Sequence, residues 1–252
     1  AAHQLKMPVI SVPTAPSMNG FTSPVAAFLS KGLKLTLPVK PALGVLTDID
    51  IVSNAPLDLI RAGFADSLAK SFANSDWKIS SLITGEDFCP LPLKITTAVE
   101  KRYINKGEEL IKRDRKAISC LMEGLIAGGF SMVIAGKSSP SSGGEHLISH
   151  FLDGEAHQQG REPFSYHGLQ VGLGIIISSH IYQRLKNFSA KDVEKRLSHR
   201  DIDYEQETKF FGRDASLIKK EFKKKIRILK ELPQKLPPLW EQIKEEVFPL
   251  VY

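Results

Sequence analysis

SSPSSGGEHLISHFLDGEAHQQGREPFSYHGLQVGLG, residues 138–174, holds four of the chain's seven histidines, and the rest of the sequence is read outward from it. A run of small residues, 138–144, leads into His146 and His150. Side chains four positions apart on a helix share one face. A second loop, rich in glycine, glutamine and charge, delivers His167 ahead of an apolar run of helical character. Upstream, Asp66 falls within residues 62–70, where apolar positions follow helical periodicity. Two imidazoles and one carboxylate leave a position open on a bound metal, which is the stoichiometry of a catalytic site rather than a structural one. Spacing alone leaves a second reading open, a partly buried, hydrogen-bonded histidine pair. The HExxH pattern of zinc proteases is absent, because Glu145 precedes the first histidine instead of following it.

Composition bounds the answer. A chain of 252 residues, 42% hydrophobic and 25% charged, can bury a substantial core as one large domain or two small ones. Two cysteines, Cys89 and Cys120, form no CxxC pair, which fits a reducing cytoplasm better than a secreted scaffold. The apolar run 171–177 is too short to span a membrane, so no spanning segment is expected. The net charge of +6 is concentrated near the C-terminus, where seven Lys and Arg crowd between residues 219 and 230. Leu217, Ile218, Phe222, Ile226 and Leu229 recur between them at helical spacing. That pattern predicts an amphipathic helix with a solvated basic face. Interleaved aromatics and a nucleic-acid module are both missing, so no nucleic-acid partner is expected.

Taken in order, residues 8–12 (PVISV) read as a short buried strand. Residues 14–23 (TAPSMNGFTS) are dense in turn formers. They read equally as a plain turn or as the ligand loop that open α/β sheets place at strand ends. Residues 28–39 alternate around Gly32 and predict a hairpin, and 41–52 (PALGVLTDIDIV) predict another strand ending in acids. From Asn54, a plausible N-cap with Pro56 in the first turn, the period shifts to 3.6. Gly63 is expected to break that helical stretch just before Asp66. Helical patterns then cover 95–110, 113–126, 168–186 and 191–197. The inferred division is an α/β segment over residues 1–53 and an all-helical domain over residues 54–252.

Four segments carry a resemblance, namely TAPSMNGFTS, DIDIVSNAPLDLIRAGFADSLAK, SSGGEHLISHFLD and YHGLQVGLG. In this order the chain resembles the sn-glycerol-1-phosphate dehydrogenase family, a branch of the metal-dependent polyol dehydrogenase and dehydroquinate synthase-like superfamily. The likeness covers most of residues 1–185. It implies an N-terminal Rossmann-like nucleotide-binding domain, here only its C-terminal part, followed by a helical domain, with the active site in the cleft between them. It implies that Asp66, His146 and His167 hold a divalent metal, zinc first, with iron and nickel as alternatives. Asn19, Asp66 and His150 would face the substrate, while Thr14, Ala15, Pro16, Ser17 and Ser23 would contact the nicotinamide of NAD or NADP. The implied reaction interconverts a polyol phosphate and its ketone by hydride transfer, such as sn-glycerol 1-phosphate and dihydroxyacetone phosphate. This is chemistry of phospholipid and lipid metabolism. The cofactor carries the hydride and the protein supplies position and charge.

Departures from the family pattern bear on the substrate. Asn19 stands where relatives commonly place an aspartate, and His167-Gly168-Leu169 replaces a histidine-glycine-glutamate. Ser139 falls where some relatives carry an arginine, a phosphate contact. The family's GGGxxxD turn has no counterpart, since no glycine precedes Gly20. The expectation is that this chain alone binds dinucleotide weakly and does not turn over. Two other readings compete, a carbon–oxygen lyase like dehydroquinate synthase and a non-catalytic remnant. The lyase's first ligand is usually glutamate, against Asp66 here. The sequence leaves NAD against NADP and the oligomeric state open.

Overall fold

The computed structural model describes residues 2–30, 33–198 and 215–251. Two small sheets come first. Strand β1 (Ile10–Ser11) pairs in parallel with β4 (Gly44–Val45), and β2 (Val25–Ser30) pairs antiparallel with β3 (Leu33–Pro38), Val25 opposite Pro38. The strands pair as the alternation predicts; Lys31 and Gly32 between them lie outside the described residues. The expected buried strand over residues 8–12 is corrected, because Val9, Ile10 and Val12 are exposed. β1 has a single partner strand, β4, among the described residues.

The expected strand over residues 41–52 is also corrected. Only β4 is extended, and α1 (Ile49–Ser53) begins where the acids lie. Asp48 accepts hydrogen bonds from the N–H groups of Asp50 and Ile51 at 2.8 and 3.3 Å, so the carboxylate caps a helix instead of ending a strand. Asn54 is the C-cap of α1, and α2 (Leu57–Leu68) starts after Pro56 with no side-chain cap. Gly63 does not break α2. It lies where the carbonyl of Pro16 packs on the helix, and a Cβ there would sit 1.6 Å from that oxygen. After a single turn residue, Ala69, the chain continues as α3 (Lys70–Thr84), which stops at Gly85 in the left-handed region.

The remaining helices are α4 (Pro90–Glu100), α5 (Gly107–Ile111), α6 (Arg115–Ala135), α7 (Gly144–Gln158), α8 (His167–Lys186), α9 (Ala190–Leu197) and α10 (Ala215–Glu246). Asp114 caps α6 through the Ala117 N–H at 2.8 Å, and Ser189 with Asp192 forms a capping box on α9. α6 is long and apolar enough to cross a membrane by length and composition, which the reading from residues 171–177 missed. Two thirds of its most apolar window is buried within the fold, as a core helix requires. On α10 the side chains through Phe222, and that of Lys224, lie outside the described residues. Beyond them Lys223, Lys225, Arg227 and Lys230 are exposed while Ile226 and Leu229 are half-buried, as an amphipathic helix demands.

Burial organises these helices into two apolar clusters. One joins α1, α2, α5 and α6 through Val52, Ile60, Leu110, Ile118, Leu121 and Leu125. The other joins α3, α8, α9 and α10 through Phe72, Tyr182, Val193, Trp240 and Ile243. The buried polar side chains of Asp66, Lys70, Asn74, Glu145, Ser149 and Gln170 belong to neither cluster, and they sit on α2, α3, α7 and α8. Burying polar groups costs free energy unless they are paired, so this polar set marks the place where the fold serves chemistry.

Candidate metal centre

Three helices converge on the polar set. Asp66 comes from the last turn of α2, His146 and His150 from α7, and His167 is the first residue of α8. The packing that brings them together uses glycine. A Cβ on Gly168 would lie 2.0 Å from the carbonyl oxygen of Ala62, so α8 rests directly on the α2 backbone one turn before Asp66. A Cβ on Gly174 would lie 2.3 Å from the Glu145 carbonyl, so the same helix rests on α7 beside His146. The glycines that interrupt the apolar run 171–177 are therefore contact points.

One potential ligand atom from each of Asp66, His146 and His167 lies within 4.8 Å of the other two, and Asp66 and His146 are buried. His146 Nε2 stands 3.4 Å from Asp66 Oδ1, and the His146 and His167 rings are 5.1 Å apart. His150 joins as a wall: its ring lies 6.3 Å from His167 in a near-parallel stack. Two imidazoles and a carboxylate at this separation suit a divalent ion that draws each donor in to about 2.0–2.2 Å.

The electrostatics fit as well. Asp66 Oδ2 accepts the Asn19 N–H at 3.0 Å, while Lys70 Nζ lies 3.4 Å from Oδ1 and donates to the Asp66 carbonyl at 2.9 Å. Burial pushes the Asp66 carboxyl up, but the Lys70 ammonium and then His146 outweigh it and hold it well below the usual carboxylate range. At His146, burial acts to lower the imidazolium's pKa, yet Asp66 and Glu145 raise it above the ordinary value. Glu145 Oε1 is 2.8 Å from His146 Nδ1, and a carboxylate only accepts, so Nδ1 carries a proton. Lys70 Nζ thus pairs with Asp66, while Glu145 Oε1 is engaged by His146 and the Gly143 N–H.

His146 and His167 open into a cavity of about 1000 Å³. His150, Asn19, Ser23 and Ser139 all line it, together with His146 and His167. Thr14, Ala15, Pro16 and Ser17 are not among its lining residues; Pro16 is buried against Gly63 and Thr14 is exposed. Asn19 is buried, and its Nδ2 has no hydrogen-bond partner among the described residues.

Four residues escaped the sequence reading: Lys70, Glu145, Ser149 and Gln170. Spacing offered a signal for three of them. Lys70 is one helical turn from Asp66, Ser149 one from His146, and Gln170 one from His167. Asp76 also lines the cavity, holding the start of α7 through the Gly144 N–H at 2.6 Å. Burial raises the Asp76 carboxyl above its ordinary value, against hydrogen bonds from the Tyr182 hydroxyl at 2.5 Å and from Gly144.

Tyr182→Phe removes the stronger of these restraints and is expected to cost about 2 kcal/mol near neutral pH, as for a lost hydrogen bond to a charged group. A folded-state pKa raised above the unfolded one gives stability that is complete below the unfolded value and lost as pH rises through the folded value. Without the Tyr182 donor the Asp76 pKa rises further, so the loss extends to higher pH. Urea unfolding of both proteins should therefore differ less in acid than at neutrality. A difference independent of pH would show that the carboxyl is not the group involved.

Comparison with known proteins agrees with this architecture. Residues 1–56 match the family model described as iron-containing alcohol dehydrogenase. The glycerol-1-phosphate dehydrogenase [NAD(P)+] of Bacillus licheniformis is 35% identical over 201 residues, 80% of this chain and 50% of that protein. Its namesake from Bacillus subtilis is 36% identical over 185 residues, 73% and 47% of the two chains. That of Archaeoglobus fulgidus is 32% identical over 181 residues, 72% and 50%. The fold resembles a probable glycerol dehydrogenase from Sinorhizobium meliloti 1021, with a TM-score of 0.56 at 19% identity over 78% of this chain and 55% of that one. A glycerol dehydrogenase from Schizosaccharomyces pombe gives 0.53 at 16% identity, covering 78% and 50%. The chain spans about half the length of the curated relatives it matches. By sequence it is related to the glycerol-1-phosphate dehydrogenases over most of its length, on the fold of the iron-containing alcohol dehydrogenases.

Proposed function

We propose that this chain forms the metal- and substrate-binding side of an NAD(P)-linked dehydrogenase, which interconverts sn-glycerol 1-phosphate, or a related polyol phosphate, and the corresponding ketone. The observation that carries the reading is the convergence of Asp66, His146 and His167 within 4.8 Å, with the two histidines at the wall of a large cavity and Asp66 buried behind them. In this reading residues 1–53 belong to the nucleotide-binding domain and residues 54–252 form the helical domain. Asp66, His146 and His167 would hold the divalent cation, zinc first with iron and nickel as alternatives, which supplies a Lewis acid for the reacting oxygen. The chain's own groups do the rest. His150, stacked beside His167, bounds the space for the polyol. Asn19 presents a buried, neutral amide, and Ser139 offers a hydroxyl towards a phosphate. Ser23 stands at the cavity wall for the nicotinamide end of the dinucleotide, with Thr14, Ala15, Pro16 and Ser17 behind it in sequence. A bound nicotinamide would supply the hydride donor or acceptor, while burial around Asp66 excludes bulk water and strengthens each charge interaction.

Calorimetry on metal-loaded protein tests the reading directly. Dihydroxyacetone phosphate should bind, EDTA should abolish the binding, and unphosphorylated dihydroxyacetone should bind more weakly. Binding of equal strength with and without metal would contradict the proposal. Transfer of deuterium from labelled NADH or NADPH to the ketone carbon, with the nucleotide-binding domain complete, tests the reaction itself.

A further inference from the structure

We infer that Gln170 and Ser149 form a hydrogen-bond relay that selects the tautomer of His167, making both of them positioning residues for the proposed metal. The inference rests on the metal reading above and adds to it the groups that set the ring's lone pair.

The relay is read from its far end. Gln170 Nε2 donates to the Ser165 carbonyl at 3.2 Å. A carbonyl only accepts, so the amide cannot flip without placing Oε1 against another oxygen. With Nε2 held there, Gln170 Oε1 faces Ser149, whose hydroxyl donates to it at 2.8 Å. A serine hydroxyl carries one proton, and this bond uses it. Ser149 Oγ therefore meets His167 Nδ1, 3.1 Å away, as an acceptor. The Nδ1 position must carry the ring proton, which leaves Nε2 as the lone-pair nitrogen. In a neutral imidazole the partner of one nitrogen decides which form the other takes.

Burial supports the assignment. Ser149 is fully buried and Gln170 is 1% exposed, so water does not compete for these bonds. Ser149 lies on α7 and Gln170 on α8, so the relay spans the same helix pair that carries the two histidines. Glu145 acts on His146 in the same sense through Nδ1. The proton on Nδ1 is thus set at His146 by a carboxylate and at His167 by a neutral relay that ends on the backbone. Outer partners of this kind typically alter metal affinity 10–100-fold.

The test reads the tautomer without turnover. Nitrogen-15 spectra of histidine-labelled, metal-free protein, at a pH where His167 is neutral, should show its Nε2 as the unprotonated nitrogen, with assignment by His167→Gln. Gln170→Leu frees the Ser149 proton to turn towards Nδ1. It should shift the ring to the Nε2–H form and weaken zinc binding 10–100-fold in chelator competition. Ser149→Ala should weaken zinc similarly, whereas Gln170→Glu keeps an acceptor for Ser149 and should keep the wild-type tautomer. A wild-type His167 protonated at Nε2 would overturn the relay, and that spectrum decides even where a variant fails to fold. An unchanged tautomer and affinity in Gln170→Leu would overturn it too. Wild-type protein with the inferred tautomer but no zinc binding would reject the metal reading and leave the relay standing.

Discussion

Replacing His146 with alanine is expected to abolish stoichiometric zinc binding, a larger loss than the 10–100-fold typical of outer partners. Three protein ligands is the minimum for a catalytic site of this kind, and Asp66 with His167 supplies only two. The substitution also leaves Glu145 Oε1 without its imidazole and removes the ring nearest Asp66 Oδ1. His150→Ala is the matched control. Its ring stacks on His167 but stands outside the three-residue set, so zinc should bind near wild-type affinity while polyol phosphate binding weakens. Chelator competition and calorimetry on both variants separate the roles. Equal zinc loss in the two would mean that the ligand set has been drawn wrongly.

Gly168→Ala is expected to act on the site without touching any ligand. The new methyl would meet the Ala62 carbonyl at 2.0 Å, and the neighbouring backbone of Ala62 at 2.5 and 2.9 Å. A helix backbone cannot yield as a flexible side chain can, so α8 must move away from α2. Overpacking against backbone costs about 3 kcal/mol. Because His167 precedes Gly168 and Asp66 lies one turn after Ala62, the same shift separates two proposed ligands. Stability in urea and zinc affinity should fall together. A variant that loses stability yet binds zinc as tightly as wild type would show that this contact does not set the ligand spacing.

The sequence made some of this legible and hid the rest for identifiable reasons. His146 and His150 share a face because 3.6-residue periodicity requires it, and their four-residue spacing shows that directly. Asp66 and His167 are 80 and 21 positions from His146, distances that no local pattern spans; residue type suggested the grouping, and the family resemblance assigned the three as ligands. Helices were read where apolar periodicity was strong, as in α6 and α8. Ends were misread where one residue type serves two purposes. Asp48 caps α1 where the acids had looked like the end of a strand, and Asn54 closes that helix instead of opening the next. Gly63 read as an interruption, and the contacts of Gly168 and Gly174 went unread, because a sequence does not show which backbone will approach a glycine. Glu145, Ser149 and Gln170 stayed hidden for a related reason. The bonds of Ser149 to His167 and Gln170 depend on how α7 and α8 pack, and that of Glu145 to its neighbour His146 on the rotamers the buried site imposes.

The most direct test of the account is X-ray absorption at the zinc edge, on protein loaded with one equivalent of zinc. The expected spectrum shows nitrogen and oxygen ligands at about 2.0–2.2 Å with two imidazole contributions, and one imidazole is lost in His167→Gln. A zinc shell containing sulfur, or one that keeps both imidazoles when His167 is replaced, would place the metal elsewhere and contradict the site built from Asp66, His146 and His167.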